Sequence, residues 1–210
     1  MRVVYLHGFA SSPQSGKAQF FAEKFGALGV PFAAPQLDEG NFEGLTISGQ
    51  LRVVEREVRG EPVVLMGSSL GGYLAALYAA RHAEVEKLVL LAPAFQFPTR
   101  WRARYTAEEL ELWRRRGTIP FFHYGFKQER ELGFKIVDDA LQYEDEPAFP
   151  QPALVLHGRR DEVVPAELSK AFAERHPNVT LRLVDSGHEL TDVLDRLWAE
   201  TAGFLKFQSL

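Results

Sequence analysis

A chain of 210 residues suits one compact domain, and its 46% hydrophobic and 25% charged fractions are those of an ordinary soluble globular protein. The net charge of −4, from 24 basic and 28 acidic residues, argues against nucleic acid as a partner, since the basic residues form only local clusters. The absence of cysteine excludes disulfides, thiolate metal sites and a cysteine nucleophile.

The chain opens on MRVVYLHGFA, which reads as a buried strand over Val3–Leu6 rather than a charged leader. No apolar run approaches the roughly 18 residues needed to span a bilayer, so a cytoplasmic protein without a membrane span is expected. A helix over Gly16–Leu28, a strand over Pro31–Ala34 and a helix over Leu45–Arg59 follow. Next come a strand over Val63–Met66, a helix over Leu70–His82 and a strand over Leu88–Leu91. After a long interval the alternation resumes with strand Ala153–Leu156, helix Pro165–Arg175, strand Val179–Val184 and helix Thr191–Phe207. Most strand segments are apolar at consecutive positions, as in parallel strands covered on both faces. Six strands alternating with helices predict an open, mostly parallel α/β sheet with helices on both faces. A single domain over residues 1–210 is expected, with an inserted helical cap near residues 95–148. The span between Ala92 and Ala153 is too long for a loop and contains no good strand.

The pattern Gly-x-Ser-x-Gly fits one register only, Gly67-Ser68-Ser69-Leu70-Gly71. A serine on a sharp strand-to-helix turn adopts strained angles, and its neighbours must lack side chains for the chain to pass. Ser69 is therefore the candidate nucleophile, at the helix N-terminus where free N–H groups favour negative charge. A serine needs a base, and the base an orienting acid. His188, in VDSGHEL after the last strand, and Asp161, in HGRRDEVVP after the one before it, lie on loops at the same carboxyl edge of the sheet. His82 and His176 end helices. His7 and His157 are expected to hold their loops by hydrogen bonds, and His123 to sit in an aromatic cluster of the cap. Asp192 is expected to cap the last helix. The Leu70 and Phe9 amides are the candidate oxyanion donors, Gly8 allowing the backbone close approach.

These four motifs, YLHGF, GSSLGGYLA, HGRRDEVVP and SGHEL, are together similar to the α/β-hydrolase superfamily, over the whole chain apart from the cap. The resemblance is to a compact branch lacking the first two strands of the full fold. Small bacterial carboxylesterases and the mitochondrial acyl-protein thioesterase and acyl-glucuronide esterase type are similar. It implies Ser69 as nucleophile, His188 as base, Asp161 as orienting acid, Phe9 and Leu70 as oxyanion donors, and no metal or organic cofactor. A small-molecule ester is the expected substrate. A thioester of a protein or coenzyme A, cleaved by the same triad, is the nearest alternative, and a hydrolase-like scaffold that binds ligand without turnover is another. In the aromatic cap, Phe95 and Phe121 are candidates for the substrate pocket. Thr106 and Glu109 form a capping box, so Arg114, Arg115 and Arg116 read as solvated helix-end charges. Arg100, Arg102 and Arg104 are the better candidates for an anion contact.

Overall fold

The computed structural model describes residues 1–207. In its first half β1 (Val3–Leu6), α1 (Gly16–Ala27), β2 (Phe32–Ala33), α2 (Ile47–Val58), β3 (Val63–Ser68), α3 (Leu70–Ala79) and β4 (Val85–Leu91) alternate. An insertion follows: α4 (Phe97–Arg102), α5 (Ala107–Arg116), β5 (Thr118–His123), β6 (Gln128–Gly133) and α6 (Lys135–Ala140). The alternation closes with β7 (Ala153–Gly158), α7 (Ala166–Arg175), β8 (Val179–Val184), a 3-10 turn at Thr191–Val193 and α8 (Leu194–Leu205).

Six strands form one sheet in the order β2-β1-β3-β4-β7-β8, every neighbouring pair parallel. Both faces are covered, which is why the inner strands carry consecutive apolar residues, as at Val63–Met66, Leu88–Leu91 and Ala153–Leu156. Leu65 of β3 and Leu90 of β4 point to the face covered by α2, α3 and α7; their neighbours Met66 and Leu91 point to the face covered by α1 and α8. Local chemistry starts α1, α2, α3 and α7 within two residues of the expectation, while α8 begins three residues later than expected, after the 3-10 turn at Thr191–Val193. Ser15 accepts from the Ala18 amide at the head of α1, and Thr46 from the Gly49 amide at the head of α2.

Strand order positions the site. From β1 the chain crosses to β2 on one side, then returns across β1 to β3 on the other. The loops after β1 and β3 therefore diverge in opposite directions and leave a crevice at the carboxyl edge, where open α/β sheets bind ligands.

The insertion differs from the expectation of a helical cap without strands. Thr118–His123 pairs antiparallel with Gln128–Gly133 in a two-stranded ribbon. QERELG carries no apolar alternation of its own, so period-two reasoning passes over it. Its pairing with TIPFFH comes from the tight reversal at Tyr124–Lys127, where Lys127 takes a φ of 54°. The ribbon is tied down by the Gly133 amide on the Glu43 carbonyl, 2.9 Å, and by the Trp113 indole N–H on the Leu132 carbonyl, 3.1 Å. The Thr106–Glu109 capping box is present at the head of α5. No helix among the described residues is long and apolar enough to cross a membrane.

Candidate active site

Ser69 stands between β3 and α3 with φ 53° and ψ −117°, a left-handed conformation that is costly for a serine. The turn is possible only because its flanks lack side chains. A Cβ on Gly67 would lie 2.2 Å from the Gly71 carbonyl oxygen, and one on Gly71 would lie 2.0 Å from that of Leu6. The Ser69 amide donates to the Leu91 carbonyl, 2.9 Å, while its own carbonyl accepts from Gly72, Tyr73 and Ala94. The end of β4, the loop after it and the first turn of α3 thus pin both sides of the strained residue.

The structure brings Ser69, His188 and Asp161 together from loops after three different strands. His188 Nε2 is 3.0 Å from Ser69 Oγ, and His188 Nδ1 is 2.7 Å from Asp161 Oδ2. An ionised carboxylate only accepts, so the proton on Nδ1 belongs to that bond, and Nε2 is left to accept from the serine hydroxyl. The Asp161 side chain is fully buried, and burial alone would raise its pKa. Hydrogen bonds from His157, His188 and the Val164 amide outweigh burial and hold the carboxyl well below the usual carboxylate range.

Each oxygen of Asp161 has two donors. Oδ1 accepts from the Val163 and Val164 amides at 2.9 and 2.8 Å, and Oδ2 from His188 and from His157 Nε2 at 3.0 Å. His157 is itself buried, with Nε2 also 2.9 Å from the Val164 carbonyl and Nδ1 2.8 Å from Ser169 Oγ. The Val164 carbonyl can only accept, so Nε2 carries its proton and donates to Asp161. His157 holds its loop, as expected, and also holds the acid. His7 has the purely local role: its Nδ1 lies 3.0 Å from the Gly8 carbonyl and its Nε2 accepts from the Leu37 amide, 3.3 Å, which fixes the loop carrying Phe9.

The Phe9 and Leu70 amides find no acceptor among the described residues, and both residues line the cavity that holds Ser69. For Leu70 this follows from its place in the first helical turn. Two cavities meet at Ser69. The first, about 450 Å³, is walled by Phe9, Leu70, Phe97, Trp101 and Val164, with Arg100 and Arg104 of the insertion on its border. The second, about 480 Å³, holds His188 and a polar lining of Ser11, Ser15, Lys17 and Glu189. Phe9, Ser69, Arg104 and Val163 border both.

Of the pocket candidates, Phe121 borders the second cavity and Arg100 the first. Phe95 does not border either. It is fully buried and stacks on Phe172 of α7 with centroids 4.2 Å apart, because the Phe95 amide closes a tight turn onto the Pro93 carbonyl and directs the ring inward. Arg102 is also outside, exposed on the outer side of α4 while Trp101 faces in. His82 and His176 stack on Tyr78 and Phe172, away from Ser69. His123 is buried against Phe42 and Phe126, 3.9 Å from Asp38, in the aromatic setting expected. Asp192 accepts from the Ser186 hydroxyl and so braces the loop before His188 rather than capping α8. Sequence reasoning missed Lys17, whose Nζ donates to the Glu189 carbonyl at 2.6 Å and ties α1 to the His188 loop. The signal was present: Lys17, Phe21 and Phe25 recur at spacing four on one helical face, so the lysine is directed to the buried side. Among the described residues no cluster of three or more His, Cys, Asp or Glu side chains is placed to hold a metal ion.

Two stability measurements check this geometry. Gly71→Ala is expected to cost about 3 kcal/mol, because the new methyl meets backbone, whereas Gly203→Ala in α8, where nothing lies within 4 Å, is expected to add about 0.5–1 kcal/mol. Urea denaturation of the two variants reads both. The lowered Asp161 pKa contributes stability above the ordinary value of 3.8, and that contribution is lost as pH falls through the folded-state value. The stability gap between the native chain and Asp161→Asn should therefore be constant above about pH 5 and shrink below about pH 4. A gap independent of pH would contradict the hydrogen-bonded carboxylate.

Known proteins share this architecture. The family model described as "Uncharacterised protein family (UPF0227)" matches residues 2–205. The AB hydrolase superfamily protein YisY of Bacillus subtilis (strain 168) is 27% identical over 206 residues, covering 80% of this chain and 77% of that protein. Among solved structures, mouse alpha/beta hydrolase domain-containing protein 10 superposes with a TM-score of 0.81 at 22% identity, over 99% of this chain and 90% of that one. Est1E from Butyrivibrio proteoclasticus, with ferulic acid bound, gives 0.83 at 21% identity, over 99% and 89%. With an all-parallel sheet of this order and a family match over nearly its full length, the chain belongs to the UPF0227 family, within the α/β-hydrolase superfamily.

Proposed function

We propose that the chain is a serine carboxylic-ester hydrolase working through an acyl-enzyme. The observation that carries this reading is the unbroken hydrogen-bond chain Ser69–His188–Asp161, 3.0 and 2.7 Å, starting from a strained serine at a helix N-terminus. His188 Nε2 takes the hydroxyl proton as Ser69 Oγ bonds to the substrate carbonyl carbon. Asp161 keeps the imidazole in the acceptor tautomer and stabilises the imidazolium that forms. The negative charge arising on the carbonyl oxygen falls to the Phe9 and Leu70 amides. When the tetrahedral intermediate collapses, the ester C–O bond breaks and His188 returns its proton to the leaving oxygen. Water then repeats the cycle on the acyl-serine, and the carboxylic acid departs.

The two cavities divide the substrate. The leaving oxygen must lie within reach of His188 Nε2, and His188 borders only the second cavity, so the alcohol part belongs there. The acyl part then occupies the first cavity, over Leu70, Phe97 and Trp101. Esterase and lipase neighbours such as Est1E and the monoacylglycerol lipase of Paleococcus ferrophilus are compatible with this reading.

Hydrolysis of p-nitrophenyl butyrate, followed with the native chain and with Ser69→Ala, tests it. The expected loss in kcat is up to about 10⁶-fold if the three residues act as a unit, together with labelling of Ser69 by a fluorophosphonate in the native chain only. Turnover that survives Ser69→Ala, or no turnover with Ser69 unlabelled, would refute the mechanism.

A further inference from the structure

Two guanidinium groups line the first cavity, and among the described residues neither has a partner acid. Arg81, Arg114 and Arg175 each pair with a carboxylate of the segment 138–146, namely Glu144, Asp138 and Glu146. Arg100 instead donates to the Val163 carbonyl at 2.6 Å, and the Arg104 guanidinium lies 5.6 Å from the centre of the Trp101 ring. Burial and the neighbouring Arg104 both push the Arg100 pKa down, which marks two like charges held together in a partly dry place. Asp161 pulls the other way but is already saturated by four hydrogen bonds. Glu162 borders the same cavity, exposed at its rim, so the cavity carries an excess of positive charge over an apolar floor. An arginine pair of this kind suits a carboxylate, whose two oxygens match the planar donors of guanidinium.

We propose that Arg100 and Arg104 form an anion subsite that selects acyl groups bearing a second carboxylate at the end remote from the ester, so that the preferred substrates are half-esters of aliphatic dicarboxylic acids. The inference rests on the hydrolase reading above. The charge belongs to the acyl side because Arg100 borders only the cavity that His188 does not reach, while the leaving group must stay beside His188. The methylenes of the acyl chain lie along Phe97 and Trp101, and the terminal carboxylate accepts from the two guanidiniums at the cavity's border. Nothing in this assignment changes the bonds made and broken at Ser69.

The test compares the p-nitrophenyl half-ester of adipic acid with its methyl-capped neutral counterpart, which has the same reporter and chain length. For the native chain kcat/KM should favour the half-ester by about 10- to 100-fold, mostly through KM, since a bond to a remote charge binds ground and transition states alike. That preference should weaken as sodium chloride is raised. In Arg100→Met/Arg104→Met the ratio of the two kcat/KM values should fall to about one-tenth of the native ratio or lower, with a cooperative unfolding transition confirming the fold. Arg116→Gln, on the exposed end of α5, should retain the native ratio. Equal rates on the two esters, or a preference that persists in the double variant, overturn the proposal while leaving the hydrolase reading intact. Absence of turnover on both esters with Ser69 unlabelled overturns the two together.

Discussion

The carbonyl oxygen of Leu6 stands 2.0 Å from where a Cβ on Gly71 would be, and that of Gly71 stands 2.2 Å from where a Cβ on Gly67 would be. This bare contact between the end of β1, the end of β3 and the first turn of α3 governs everything above it. It lets α3 begin directly under the sheet edge, so that Leu70, whose amide finds no acceptor among the described residues, borders the crevice. The Phe9 loop lies alongside Ser69 without needing a bare residue at Gly8, contrary to expectation, since a Cβ there would meet Ser69 Cβ at an ordinary 3.5 Å. Two amides from different loops thereby border one cavity. Strain at Ser69 is sustained because neighbouring backbone leaves the chain no other path.

A second set of constraints fixes the polar partners. A buried carboxylate without partners would take up a proton, and Asp161 avoids this with four donors at its two oxygens. Two of those donors are backbone amides of its own loop, which holds the carboxylate in place whichever way His188 moves. His157 supplies the third from the carboxyl end of β7, and Ser169 of α7 holds His157 in turn. The acid is thus braced by the strand before it and the helix after it. His188 is braced less heavily, through Ser186 on Asp192 and Glu189 on Lys17, and keeps 13% of its side chain exposed. In the proposed mechanism that asymmetry suits a group that exchanges protons beside one that only stays charged.

What the sequence disclosed and what it concealed divide along the range of the interactions involved. Ser69, His188 and Asp161 were legible because each follows a strand of a regular parallel alternation, and the parallel sheet sends all such loops to one edge. The capping box at Thr106 and the buried strands were legible because they depend on neighbours within a turn or on period. The hairpin at 118–133 was not, since QERELG takes its strand form from the partner across the turn and from Gly133 resting on Glu43. Phe95 was misplaced for a related reason: aromatic density says that a ring is wanted near the insertion, but the turn closed by the Phe95 amide on Pro93 decides which way it points. Arg100 and Arg102 are two residues apart on one short helix, so at most one of them can share the inward side with Trp101. Only knowledge of which side Trp101 takes separates them.

The insertion enters between β4 and β7, at the one place where the sheet has both an elbow on one side and an acid loop on the other. Its first residues are bound to each: the Ala94 amide donates to the Ser69 carbonyl, and Arg100 donates to the Val163 carbonyl two residues past Asp161. α4 is therefore tied to both banks of the first cavity, which Trp101, Arg104 and Ser69 all border, through a support that includes the Ser69 carbonyl. A segment anchored in this way can change its side chains without disturbing the strands that lead into Ser69, Asp161 and His188. On the proposed ester-hydrolase reading, the reaction and the selection of substrate reside in separate parts of the chain. Under that reading the sheet edge sets where charge develops, and a helix tied to that edge at two points sets what the acyl group must look like.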